Sequence, residues 1–429
     1  VARPSSQPKV QPEMLAKVLT ILAIVASAGA ADDFDPFIDI PFKRLKTSAE
    51  RIAEHGYPAE SHFVETPDGY VLNVFRIPHS PKLNSNGNEG ESEASRPVVL
   101  IMHGLFSCSD CFLLNGPEDA LPYNYADAGY DVWLGNARGN IYSRNNTRLN
   151  VKHPYFWKFS WHEIGSIDLP ATIDYILAET GQQSLHYVGH SQGCTSFFVM
   201  GSYRPEYNAK IKTAHMLAPP VYMGNSTEGL IVSTAPLFGH HGIGSTLLEN
   251  QVLLPQNAFI QRVLDTTCSN QPIMLSYCKT LAILWGGPEI GNLNQTLLPQ
   301  IAETHPAGVS SNQAIHYIQS YASNDFRLYD WGSKRNLEYY GVSEPPAYDL
   351  TKITSELYLY YGLADGSANK QDISRLPDLL PNLALLHEVP DSTWGHLDFI
   401  FATEVKRVIN DLVLDYSKAY DARETNNEI

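Results

Sequence analysis

Leu185-His186-Tyr187-Val188-Gly189-His190-Ser191-Gln192-Gly193-Cys194, continuing through Met200, is the stretch on which the rest of the chain turns. A short apolar run leads into Gly-x-Ser-x-Gly, and a helical pattern follows. Strand, sharp turn and helix in that order form a nucleophile elbow, which holds a serine on a strained turn at the end of a strand. Gly189 and Gly193 leave space for neighbouring backbone on either side of Ser191, and His190 and Gln192 complete the turn. A glycine-rich turn of no function is the plainer reading; the flanking strand and helix patterns argue against it.

Outward from the elbow, continuous apolar runs at 97–102, 130–134, 185–188, 213–217, 357–361 and 385–389 predict parallel strands buried on both faces. Before them, 61–77 alternates about Pro67-Asp68-Gly69 and predicts an antiparallel hairpin. Asp168-Leu169-Pro170 reads as a helix start, with Asp168 as cap, Ile173, Ile176 and Leu177 as the apolar face and Gly181 as the stop. Residues 84–95 are polar and aperiodic, as a solvated loop. Between 221 and 346 the β-α order is interrupted by helix-like segments, including 259–264 and 273–285. The fold expected is α/β, a mostly parallel central sheet flanked by helices, with residues 31–220 and 347–429 as core and 221–346 as an inserted helical cap or lid.

A neutral serine hydroxyl is a weak nucleophile and needs a base oriented by an acid, in the chain order Ser, Asp/Glu, His for this fold. His396, after the last strand, is the candidate base. Asp365, just past 357–361, is the candidate acid; Asp372 is its rival but has a sufficient role as a helix cap, and Asp398 reads as structural. An oxyanion hole needs backbone N–H donors, one following the nucleophile and one in the loop after the strand at 97–102. Gln192 and Leu105 fill those positions, with Gly104 letting the loop turn inward.

The chain's 429 residues carry 30 Lys+Arg and 46 Asp+Glu, a net charge of −16, with no basic stripe to replace counterions on a nucleic acid. With 43% hydrophobic and 18% charged residues, the chain can bury a large core and is not disordered. Residues 1–13 read as sequence upstream of a start at Met14, and 14–30 as a secretory signal peptide. The apolar run inside it is much shorter than the roughly 20 residues a membrane span needs, so no transmembrane anchor is expected. A lumenal destination gives meaning to the glycosylation sequons at Asn145, Asn225 and Asn294. Of the five cysteines, Cys268 and Cys278 are the preferred disulfide, with two buried thiols as the alternative. Cys108 and Cys111 are spaced to bridge, to act as a redox pair or to do neither. His240-His241 resembles half of a metal site, but no ligand set at suitable spacing accompanies it, and neither metal nor cofactor is expected.

Taken together, the His103-Gly104-Leu105 loop, Tyr130-Asp131-Val132-Trp133-Leu134-Gly135-Asn136-Ala137-Arg138-Gly139-Asn140, Phe156-Trp157-Lys158-Phe159-Ser160, Gly189–Gly193, His305-Pro306-Ala307-Gly308, Tyr329-Asp330-Trp331-Gly332 and His396-Leu397-Asp398-Phe399 resemble the acid lipases, which include gastric and lysosomal acid lipases. That resemblance spans roughly residues 45–415. It implies an α/β-hydrolase core, a helical cap with a mobile lid, no metal, cleavage of neutral-lipid esters at a lipid–water interface, and a triad of Ser191, Asp365 and His396. The chain departs from the family in the flanks of the acid, Ala364-Asp365-Gly366-Ser367-Ala368, and in two extra residues near Asp391-Ser392-Thr393. Leu230, Ile231, Leu237-Phe238-Gly239 and Leu247-Leu248 suit a lid or a cap core equally. The expectation is a secreted or lysosomal serine lipase, with a soluble-ester carboxylesterase, a peptidase or thioesterase, and a catalytically silent lipid-binding protein as alternatives. Oligomeric state is open.

Overall fold

The structure, a computed structural model, describes residues 45–84, 96–256 and 291–427. The expected signal peptide, the Cys268–Cys278 disulfide candidate, the helix-like segments 259–264 and 273–285, and nearly all of the polar loop at 84–95 lie outside these residues. The hairpin forms as β1 (Glu60–Glu65) and β2 (Tyr70–Ile77), closed by the Gly69 N–H donating to the Thr66 carbonyl at 2.8 Å. The apolar runs become β3 (Val98–Met102), β4 (Asp131–Leu134), β6 (Leu185–His190) and β7 (Ile211–Leu217), and a two-residue β5 (Asn145–Asn146), which no apolar run announced, stands between β4 and β6 in the chain. A short ribbon, β8 (Val252–Leu253) with β9 (Val309–Ser310), lies apart, and β10 (Glu356–Tyr361) and β11 (Leu383–Glu388) complete the set.

The sheet order is β1-β2-β4-β3-β6-β7-β10-β11, with β5 beside β2; β1, β2 and β5 pair antiparallel and the strands from β4 to β11 run parallel. Every residue of β3, β4 and β6 is buried, as continuous apolar runs in the middle of a parallel sheet require. β11 differs from the expectation. It starts two residues earlier than its apolar run and alternates between half-buried and exposed residues, because as the last strand it has only β10 for a neighbour.

The helix α1 (Leu169–Thr180) ends at Gly181 with φ 69°, a left-handed stop that glycine adopts without a Cβ penalty. Its start corrects the sequence reading. Asp168 is already helical and makes no cap; a one-turn helix begins at Trp161, where Ser160 and Glu163 form a reciprocal capping box, and runs through a wide turn, Ile164–Asp168, into α1. Asp168 is instead fully buried against Arg138, whose Nε donates to Oδ1 at 2.8 Å while its Nη1 reaches Asp68 at 2.6 Å. A carboxylate in the core needs a cation, and that need outweighs a cap for which the helix had no vacancy.

After the elbow, α2 (Gln192–Tyr203) is buried at every position but its last. Between β7 and β10 stand α3 (Gly229–Phe238), α4 (Ile243–Leu248), the β8–β9 ribbon and α5 (Ser311–Ser323). The apolar residues of this stretch differ in burial. Ile231 packs on the main core, whereas Leu237, Leu247 and Leu248 are exposed. Cys108, Cys111 and Cys194 are buried free thiols, so the Cys108/Cys111 spacing forms no bridge. A C-terminal helix, α6 (Asp411–Asn427), closes the chain, with Asp421 accepting from His186 and Lys212 beneath β6 and β7.

Candidate active site

Ser191 stands between β6 and α2 with φ 52° and ψ −116°, and its N–H donates to the Leu217 carbonyl at 3.0 Å. The glycines around it are there for close approach. A Cβ at Gly193 would lie 2.4 Å from the Met102 carbonyl oxygen, and one at Gly189 2.8 Å from the Cys194 nitrogen. His190 donates from Nε2 to the His396 carbonyl at 3.0 Å; burial lowers its pKa to about 3, so it is a neutral strut.

The acid loop and the histidine loop meet because Gly362 has no side chain: a Cβ there would sit 2.1 Å from the Trp394 carbonyl oxygen. That approach lets the Ala364 N–H donate to the same carbonyl and brings Asp365 against His396. His396 Nδ1 lies 2.8 Å from Asp365 Oδ2, and its Nε2 lies 2.8 Å from Ser191 Oγ. The other carboxylate oxygen of Asp365 accepts the N–H groups of Ser367 and Ala368, both at 2.8 Å. Because a carboxylate only accepts, Nδ1 carries the proton and Nε2 faces the serine as acceptor. Burial presses the His396 pKa down, but the Asp365 charge and hydrogen bond outweigh it and raise it.

Asp372 does not join this chain. It accepts from the backbone and side-chain nitrogens of Asn225 at 2.8 and 2.9 Å, and it is not the helix cap either: Asn369 is, accepting from the Gln371 N–H. Asp398 braces the histidine loop by accepting the Gly395 N–H at 2.7 Å. Of the sequon residues, Asn145 and Asn225 are exposed, whereas Asn294 is half-buried and caps a short turn by accepting from the Thr296 N–H. His241 is taken up by a carboxylate, its Nδ1 3.3 Å from Glu249, which also pairs with Arg335.

The loop after β3 passes directly over the serine: a Cβ on Gly104 would come 3.0 Å from Ser191 Cβ and 3.5 Å from Oγ. His103, driven to a pKa of about 4 by burial, fixes that loop, donating from Nδ1 to the Gly104 carbonyl and accepting the Ala137 N–H at Nε2. Leu105 follows on this loop, and Gln192 opens α2, where the first N–H groups have no acceptor within the helix. Sequence reasoning missed the supports from the stretch between β7 and β10. The Ala307 N–H donates to the Phe106 carbonyl, Ser107 bonds His305, and Gln313 of α5 donates to the Gln192 side chain at 3.1 Å. It also missed Glu228, a buried carboxyl beside the acid loop.

A family model described as an alpha/beta hydrolase fold matches residues 97–403, and one described as a partial alpha/beta-hydrolase lipase region matches residues 48–116. The chain is 44% identical to Lipase 3 of Drosophila melanogaster over 88% of its own length and 94% of that protein's. It is 37% identical to Lipase 1 of the same organism, covering 83% and 76%, and 38% identical to the gastric triacylglycerol lipase of Homo sapiens, covering 85% and 89%. The sheet order, the elbow and these similarities along most of the chain place it in the acid lipase family of the α/β-hydrolase fold, as a carboxylic ester hydrolase.

Proposed function

We propose that this protein is a secreted or lumenal lipase that cleaves neutral-lipid esters, triacylglycerol or sterol ester, through an acyl-Ser191 intermediate. The unbroken hydrogen-bonded chain from Asp365 through His396 to Ser191 carries the reading. His396 takes the Ser191 proton as Oγ attacks the ester carbonyl, then returns it to the leaving alcohol; Asp365 holds the tautomer and stabilises the imidazolium. The Leu105 and Gln192 N–H groups face the developing oxyanion. Water then enters and attacks the acyl carbon while giving a proton to His396, which passes it to Ser191 Oγ as the ester bond to the serine breaks and the fatty acid leaves. Neither metal nor cofactor takes part.

The inserted segment at 221–346 is the cap in this reading. Ser191, His396 and Asp365 are 9%, 5% and 3% exposed, so substrate reaches them only after something moves. The apolar residues Leu237, Ile243 and Leu247, between 64% and 84% exposed on α3 and α4, suit a surface that meets lipid. Among the described residues no helix is long and apolar enough to cross a membrane. Residues 14–30 direct the chain to the lumen, extracellular or lysosomal, where the exposed Asn145 is open to glycosylation, whereas the Asn225 side-chain nitrogen is held by Asp372.

The test is fatty-acid release from emulsified long-chain triacylglycerol and sterol ester by the wild type and by Ser191→Ala. The wild type releases fatty acid, and the variant loses at least about 10^4-fold in kcat. Hydrolysis confined to soluble short-chain esters would make it a carboxylesterase; silence on every ester would leave a lipid-binding role.

A further inference from the structure

Between β7 and α3 the chain crosses the loop that carries Asp365. Ser226 Oγ and the Thr227 N–H both donate to the Gly366 carbonyl, at 2.8 and 2.9 Å. The next residue, Glu228, is the last before α3 and is only 6% exposed. Its Oε2 accepts from Ser367 Oγ at 3.4 Å, while the Ser367 N–H donates to Asp365 Oδ1 at 2.8 Å. Ser367 therefore stands between two buried carboxyl groups. Gly366 permits the approach, since a Cβ there would lie 3.1 Å from Thr227 Oγ1 and 3.4 Å from Glu228 Oε2.

The titratable groups facing Glu228 are Asp365 from the acid loop and His396 from the loop after β11; no Lys or Arg among the described residues offsets its charge. Asp372, on the helical turn after the acid loop, is taken up by Asn225 three residues upstream. Burial, reinforced by the Asp365 charge and partly opposed by His396 and Ser367, raises the Glu228 pKa to about 8. At neutral pH the group is therefore chiefly an uncharged carboxylic acid, one oxygen accepting from Ser367.

We propose that Glu228 is a positioning residue: through Ser367 it sets Asp365 against His396, and it ties the seating of α3 to the alignment of the ester-cleaving groups. The proposal rests on the reading of Ser191, His396 and Asp365 as those groups. Glu228 does its work while protonated. Ionised, it places a second negative charge against Asp365 and pushes the acid loop out of line with His396, so the rate falls on the alkaline side.

Initial rates of the full chain on a soluble short-chain ester, followed from about pH 5 to about pH 10, test this with Glu228→Gln, Glu228→Ala and His396→Ala. Glutamine, neutral at every pH and able to accept from Ser367, keeps the neutral-pH kcat and removes the alkaline fall near pH 8. Alanine lowers kcat about 10- to 100-fold with KM held within about two-fold, as loss of alignment does. An alkaline limb that is the same in wild type and Glu228→Gln, or absent from both, overturns the proposal, as does a wild-type kcat in Glu228→Ala. Should the alanine variant lack a cooperative melting transition, the glutamine profile decides alone. A fully active His396→Ala variant would overturn the reading of the ester-cleaving groups themselves, whatever Glu228 does.

Discussion

Ser191 holds a backbone conformation that costs of order 1–3 kcal/mol, and the surrounding bonds, not the residue, keep it there. What the strain obtains is a hydroxyl aimed at His396, 2.8 Å from its Nε2, with the backbone of Gly104 close by. The state of that histidine sets the pH response. Burial alone would lower its pKa, but Asp365 overrides it, so the neutral base becomes the dominant form only above the ordinary histidine value of about 6.5. In the proposed mechanism kcat/KM on a soluble ester therefore rises with pH along a limb whose midpoint lies above about 6.5. A pH–rate profile with its midpoint below that value would show that Asp365 is not holding the proton in the free enzyme. Ser191, Asp365 and His396 were legible because the chemistry demands those types in that order after recognisable strands. Glu228 was not, because its neighbours are assigned by the crossing of two loops far apart in sequence, and its own surroundings, Asn225-Ser226-Thr227, read as a sequon.

Among the elements, the antiparallel entry strands and the parallel series were legible from alternation and from continuous apolar runs. The start of α1 was not: Asp168 before Leu-Pro has the form of a cap, and only the tertiary structure reveals that Arg138 requires it. Arg138 lies over the Tyr70 ring at 4.0 Å and joins Asp168 to the β1–β2 turn through Asp68. Replacing Arg138 with Leu leaves the Asp168 carboxylate buried without its cation, at an expected cost of about 3–5 kcal/mol. Urea unfolding at neutral pH measures that cost as a lowered midpoint. The double variant Arg138→Leu/Asp168→Leu recovers most of it; equal loss in both would place the cost in packing on Tyr70 instead.

For the whole molecule, the closed site and the exposed apolar rim of α3 and α4 make one expectation. Ile243→Ser together with Leu247→Ser lowers the rate on emulsified triacylglycerol about tenfold or more while leaving soluble short-ester hydrolysis and the melting temperature near wild type, since the substituted side chains already face solvent. Parallel loss on both substrates would remove the interface role from this surface. Sequence placed these residues in a cap without saying which faced outward, because apolar content does not distinguish a seated face from a waiting one. The three described thiols carry a different consequence. Cys194 lies behind the elbow, its sulfur 3.1 Å from the Gly189 carbonyl oxygen, and burial raises the pKa of Cys194, Cys108 and Cys111 alike. Alkylating reagents need both thiolate and access. Their reaction at Cys194 therefore counts openings of the sheet-and-elbow core itself, a built-in clock for the lifetime of the folded enzyme.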